Sequence, residues 1–251
     1  MLKPARHFRA DDSRCHIREV FNQRESNLEF LSLSEIDLMN ARSPEVAYKS
    51  EEALVFNLAG PVTMAIDGTE HRLEHYDVAY VPLDTGFSFE HQGEDPAKLY
   101  VYRALGDKRY EPFLSRYADA KQNAERIRHL NKKVVYKMFD VSESANRLLA
   151  GYTFYEDHTR AWPPHNHTDQ EEVYSFIEGE GAMSVYEDDE HQTFVRSVGI
   201  GDHITIPLLN YHPVFSDDKP LCFIWCIAGE RYWVGDKNAG FMKGEGTKIT
   251  T

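Results

Sequence analysis

The chain repeats itself, and that repetition limits its possible folds more than any other feature. Residues 51–66 (Glu-Glu-Ala-Leu-Val-Phe-Asn-Leu-Ala-Gly-Pro-Val-Thr-Met-Ala-Ile) align with residues 171–185 (Glu-Glu-Val-Tyr-Ser-Phe-Ile-Glu-Gly-Glu-Gly-Ala-Met-Ser-Val). Each stretch opens on a Glu pair, runs through apolar residues, turns at glycine and enters a second apolar run. Asp77 and Pro82 are spaced as Asp202 and Pro207 are, and residues 95–106 match 218–229. One such match could be chance. Three in the same order, at an offset of about 120 to 125 residues, indicate a duplicated domain.

Each repeat reads as all-β. Its runs are short and rich in Val, Ile, Tyr, Phe and Thr, and they are punctuated by turn formers such as Asp67-Gly68, Gly179-Glu-Gly181 and Ser216-Asp-Asp218. Many short strands at regular spacing point to a sandwich or a barrel. Residues 1–110 form the first expected domain, and their first 45 residues are expected to give an arm or edge strands. Between the repeats, Phe113, Leu114, Tyr117, Ala118, Ala124, Ile127 and His129 make a loose helical pattern. Residues 111–132 are therefore expected to be a linker with a short helix. Residues 133–251 form the second domain, entered by a strand over 133–139.

The 251-residue chain carries a net charge of −13, which argues against nucleic acid, since a phosphate backbone calls for a basic surface. An anionic small molecule remains compatible, because salt screens exposed charge beyond roughly 10 Å. The three cysteines, Cys15, Cys222 and Cys226, do not make a disulfide framework; Cys222 and Cys226 read as small core residues. The first residues lack the apolar segment of a secretory signal, and no stretch is long and apolar enough to span a membrane. A cytoplasmic protein is the default expectation.

The second repeat carries the chemistry. His165 and His167 are two apart, so on a strand both rings leave one face. Glu172 lies beyond the short 168–171 stretch and can face them. Pro163 and Pro164 make a rigid entry, and His212 follows Pro207 after a short loop. Three imidazoles and one carboxylate suit a single divalent transition metal; Zn is favoured, and Mn, Fe and Ni also fit. The first repeat has no histidine at 44–48, where the pair should fall, and Phe87 stands where His212 stands.

This spacing resembles the cupin family's two motifs. His165-x-His167, four residues, Glu172, six residues, Gly179 is the first. Gly201, five residues, Pro207, four residues, His212 is the second. Leu209 and Ser216 replace a usual Gly and a frequent Asn. The resemblance implies an all-β protein of two tandem cupin domains (double-stranded β-helix, or jelly roll) joined by a short helical linker. Within the cupins, residues 51–230 resemble the bicupin sugar-acid isomerases, 5-keto-4-deoxyuronate isomerase and 5-deoxyglucuronate isomerase. Residues 57–69, 95–98 and 223–230 are more like the first. Residues 162–167, 171–174 and 211–214 are more like the second. The Arg found between the second His and the Glu in the first enzyme is missing here.

That resemblance implies interconversion of an aldose and a ketose bearing a carboxylate, through a metal-stabilised enediolate. Tyr174 alternates with Glu172 on one strand face, so these two are the candidate catalytic groups. Arg196 and Arg160 are candidates for gripping the substrate carboxylate. The expected partner is a small sugar acid, with no nucleic acid and no membrane. A homo-oligomer is expected, with the first domain as structural and oligomerisation partner. A metal-dependent oxygenase and a non-catalytic sugar-binding protein are the alternatives; the regulator form of the latter lacks any helix-turn-helix or basic segment.

Overall fold

The computed structural model describes residues 6–9, 14–160, 163–188 and 190–232. The chain divides into two compact units. The first runs to Asp119 and adds Val141–Leu148; the second takes Ala120–Asp140 and the chain from Leu149 onward.

The first unit contains β1 (Arg6–Arg9), β2 (Cys15–Phe21), β3 (Leu31–Leu38), β4 (Ala41–Arg42), β5 (Val46–Ala47) and β6 (Glu51–Ala59). It continues with β7 (Val62–Ile66), β8 (Thr69–Leu73), β9 (Val78–Val81), β10 (Gly86–His91), β11 (Ala97–Leu105) and β12 (Phe113–Ser115). Two sheets result, ordered β1-β2-β3-β11-β6-β9-β12 and β4-β10-β7-β8, with β5 added beside β10. Ala53, Val55, Met64, Phe87, Phe89, Leu99 and Val101 fill the space they enclose. Period-two alternation is clean on β7, where every second residue is buried. It disappears on β6, which is buried on both faces. The outer face of β6 is covered by Val141–Leu148. Buried Glu52 accepts hydrogen bonds there from the backbone N–H groups of Asn146 (2.7 Å), Arg147 (2.7 Å) and Leu148 (3.0 Å), and from Tyr80 Oη (2.9 Å).

After α1 (Tyr117–Ala120), the only helix among the described residues, come β13 (Ile127–Leu130), β14 (Lys133–Phe139), β15 (Leu149–Tyr155), β16 (Gln170–Tyr186), β17 (Gln192–Gly199), β18 (His203–Ile206) and β19 (Val214–Gly229). Their order is β13-β14-β15-β19-β16-β17, with β18 also on β16. β16 and β19 are long because each bends around the barrel. Their register shifts between Phe176 and Glu178 and again between Gly179 and Gly181. Gly179 has φ +74, and a Cβ there would lie 2.0 Å from the Pro220 carbonyl oxygen, so only glycine can make this corner.

Two expectations change. Residues 111–132 carry two short strands beside the expected short helix: β12 pairs with β9 and β13 with β14, each extending the sheet of its own unit. Of the residues that suggested a helix, Tyr117 and Ala118 lie in the short α1, while Phe113 and Leu114 on β12 and Ile127 and His129 on β13 are drawn into sheet pairing, which outweighs a weak helical period. In the first 45 residues, β3 is no edge; it lies between β2 and β11 and is almost wholly buried.

Candidate metal centre

The cross-strand pairs determine which side chains share the inner face of the second unit. Glu172 stands opposite Ile206 on β18 and Ile227 on β19, and Tyr174 opposite Ile204 and Trp225. Phe176, Ile204, Ile206, Phe223 and Trp225 belong to the barrel core, so Glu172 points inward with them. His165 and His167 lie in the segment leading into β16 and not on a strand of their own; Glu172 is on the strand that follows. His212 sits just before β19.

These four residues converge. All are buried, and one ligand atom from each lies within 4.8 Å of every other. Glu172 Oε2 is 3.3 Å from His167 Nε2 and 3.0 Å from His212 Nε2. Two ligands bonded at about 2.1 Å to one ion, roughly 90–110° apart, would be separated by about 3.0–3.4 Å. Neither Glu172 Oε2 nor His212 Nε2 has a hydrogen bond of good geometry, although both are buried. A set of donor atoms aimed at one point, and not at one another, fits a cation. His212 Nδ1 lies 2.9 Å from the Asn210 carbonyl oxygen, which can only accept. The ring proton therefore resides on Nδ1, and the Nε2 lone pair faces the cluster. Burial opposes ionisation of Glu172, but the positive charge that the His167 and His212 rings can carry beside it outweighs burial and holds the carboxyl at about 2.

A cavity of about 300 Å³ opens onto the cluster. Tyr155, Tyr174, Phe223 and Trp225 line it together with His165 and Glu172. Tyr174 packs edge-on to His212, with ring centroids 5.5 Å apart. Burial, reinforced by the nearby Glu172 carboxylate, pushes its hydroxyl well above the usual tyrosine range. It is thus a proton-bearing donor.

Arg196 and Arg160 do not join this site. Arg196 is exposed on β17, its guanidinium over the Phe194 ring, and Arg160 is bridged to Phe215; neither is in the cavity wall. The wall's cations are Arg128, Lys133 and Lys137, on β13 and β14. Their signal was the alternation Lys133-x-Val135-x-Lys137, which a reading of lysines as solvent-facing discards. Trp162 lies outside the described residues.

The first unit holds the same frame with other side chains. Asp84 N–H donates to the Tyr48 carbonyl oxygen (2.7 Å) as Leu209 N–H does to that of His167 (2.8 Å). Phe89 pairs with Met64 as Val214 does with Met183, which sets Phe87 in the place of His212. Ala53 pairs with Val81 as Glu172 does with Ile206. Glu52 therefore corresponds to Glu171, one residue off the alignment of the Glu pairs, and faces outward. A one-residue slip reverses the face. The four ligand positions become Val46, Tyr48, Ala53 and Phe87, and the Arg103 guanidinium lies 4.5 Å from the Tyr48 ring centroid.

The fold and the site together define a protein of two tandem cupin domains whose second domain carries a cluster able to hold a metal ion. The solved structures it is similar to include an IolB-like protein from Salmonella typhimurium LT2 (TM-score 0.76, 16% identity, covering 89% of this chain and 94% of that one). A mutant of Bacillus subtilis oxalate decarboxylase is also similar (TM-score 0.72, 15% identity, covering 91% and 76%). The KduI/IolB family model matches residues 4–239, and the chain belongs to that family. Curated relatives named 4-deoxy-L-threo-5-hexosulose-uronate ketol-isomerase include one from Lacticaseibacillus casei, 28% identical over 57% of this chain. Another, from Bacillus licheniformis, is 26% identical over 74%. The chain spans about half (53%) of the length of the first and 70% of the second.

Proposed function

We propose that this protein is a metal-dependent isomerase that interconverts the aldose and ketose forms of a carboxylate-bearing sugar of the deoxyuronate type. The observation that carries the reading is the buried His165, His167, Glu172 and His212 cluster at the floor of a cavity of about 300 Å³, a volume suited to a six-carbon acid. The names of the family relatives support the substrate class.

His165, His167, Glu172 and His212 would hold the ion, zinc first among those the donor set suits. When bound, it supplies Lewis acidity toward a carbonyl and the neighbouring hydroxyl, making the intervening C–H acidic. The proton lost from that carbon must pass to a base and return to the adjacent carbon, and the Glu172 carboxylate, with a second oxygen to accept it, is the chain's candidate for that role. Glu172, ionised over the whole working range, serves as ligand. Tyr174, kept protonated by burial, donates a hydrogen bond to a substrate oxygen as charge develops on it. Tyr155, Phe223 and Trp225 wall the reacting carbons with aromatic surface.

The test is a set of acids (4-deoxy-5-ketouronate, 5-deoxyglucuronate and plain uronates) incubated with metal-loaded protein in D₂O and followed by NMR. The expected result is interconversion with deuterium entering next to the carbonyl. Turnover that strictly requires O₂ would replace the isomerase with an oxygenase. Reaction of a neutral sugar alone would remove the carboxylate from the proposal.

A further inference from the structure

We infer that Arg128 and Lys133 form a carboxylate-binding end of the cavity, so that an acid sugar is held at both ends: its carboxylate at the β13–β14 hairpin, its carbonyl at the His165–His167–Glu172–His212 cluster. This inference rests on the isomerase reading for its substrate, but not for its geometry.

Sheet register puts both cations inside. Arg128 pairs with Val135, Val135 with Thr153, and Thr153 with Phe223 of the barrel core. Paired residues share a face, so Arg128 faces the way Phe223 does. Lys133 pairs with Tyr155 and Tyr155 with Leu221, again a core residue. Lys133 is 3% exposed, with Nζ 5.6 Å from the Tyr155 ring centroid. Both line the same cavity as His165 and Glu172. Lys137 pairs with Asp140 at 2.7 Å, and Glu125 and Asp140 share the cavity wall with the three cations.

The duplicated unit serves as an internal control. Cys15 pairs with Leu38 and Leu38 with Ala97, as Lys133 pairs with Tyr155 and Tyr155 with Leu221. Ile17 pairs with Phe8 as Val135 pairs with Arg128. The unit with apolar residues or tyrosine at the four ligand positions thus has Phe8 and Cys15 at the register positions of Arg128 and Lys133. The cations occur in the unit that has the ligands, the pattern expected of two parts of one binding site. An arginine fork and an ammonium each match a carboxylate, and the aromatic residues in the same wall suit the sugar's C–H faces.

The test uses the full metal-loaded chain and its Arg128→Met, Lys133→Met and Arg128→Lys variants. Binding of each acid named above is measured by calorimetry, with glucose as neutral control, and KM and kcat are measured wherever turnover is seen. Arg128→Met and Lys133→Met should each weaken acid binding roughly 30-fold or more. KM should rise far more than kcat falls, with metal content and thermal midpoint unchanged. Arg128→Lys should recover part of the loss. Equal losses for glucose and for the acids, unchanged acid binding, no acid binding by the parent protein, or tighter binding of a sugar phosphate would each overturn the inference. Acids that bind in an Arg128-dependent way without being isomerised would sink the isomerase reading and leave this one standing. Isomerisation indifferent to both substitutions would do the reverse.

Discussion

Tyr174 and Glu172 sit two apart on one strand, in nearly the same surroundings, and burial acts on them with opposite outcomes. The carboxylate has imidazoles beside it and stays charged; the phenol has a carboxylate beside it and stays neutral. A group fixed as a donor contributes through its hydroxyl alone. Tyr174→Phe should therefore lower kcat about 100-fold while metal content stays at the parent level, as metal analysis alongside steady-state kinetics will show. His212 is held differently, by the Asn210 carbonyl that sets its tautomer. His212→Ala removes a ligand from a closed set and should abolish bound metal on gel-filtered protein. Leu209 has φ +65 where cupins usually have glycine, and it is 53% exposed. The left-handed backbone costs a side chain about 1–2 kcal/mol. Leu209→Gly should raise stability by roughly 0.5–1 kcal/mol in urea titration, since glycine's entropy in the unfolded chain cancels part of the gain.

Strands β16 and β19 form the barrel only because each can turn a corner. Gly179 allows this for β16 by accepting a positive φ beneath the Pro220 carbonyl. Gly179→Ala forces backbone to move and should destabilise the protein by about 3 kcal/mol or more. In the first unit the corresponding stress point is the covering segment Val141–Leu148, tied down by one carboxylate that accepts from three successive backbone amides. Glu52→Gln preserves the volume but turns an amide N–H₂ toward donors. A loss of about 2–3 kcal/mol is expected in the same titration.

For the molecule as a whole, the two units share a frame, and one of them has the ligand set. Arg103 over Tyr48, with ion pairs to Glu51 (2.9 Å) and Glu19 (3.1 Å), supplies a fixed guanidinium where the first unit has no ligands. Elemental analysis of the full chain should thus find about one ion, not two. Removing it with a chelator should lower the thermal midpoint, because an ion that binds the folded state stabilises it by mass action, about 4 kcal/mol at a thousandfold excess over Kd. A ratio of two would mean that a second ion is held elsewhere, by other residues of the first unit or by His158, Asp217 and Asp218 of the second.

The duplication, the β character and three of the four candidate ligands were legible in the sequence because each rests on short-range order, and His212, 40 residues beyond Glu172, was legible from its spacing to Gly201 and Pro207. His165, His167 and Glu172 are seven residues apart at most, so their spacing survives without knowledge of the fold. Gly179 and Gly201 mark turns by backbone freedom, which is also local. Strand register was not legible. The Glu pairs at 51–52 and 171–172 align by letter, yet the pairing of β6 with β9 shifts them by one residue and turns Glu52 outward. The same limit hid Arg128 and Lys133. A weak helical period suggested a linker with a short helix over 111–132, and the strand over 133–139 was legible without its inner face. Only hydrogen bonding across β13, β14 and β15, between residues 11 to 22 apart in sequence for the last pair, decides which face is inside. Sequence determined which residues can bind a metal; tertiary pairing decided what else faces it, because a strand's inside is defined by its neighbours.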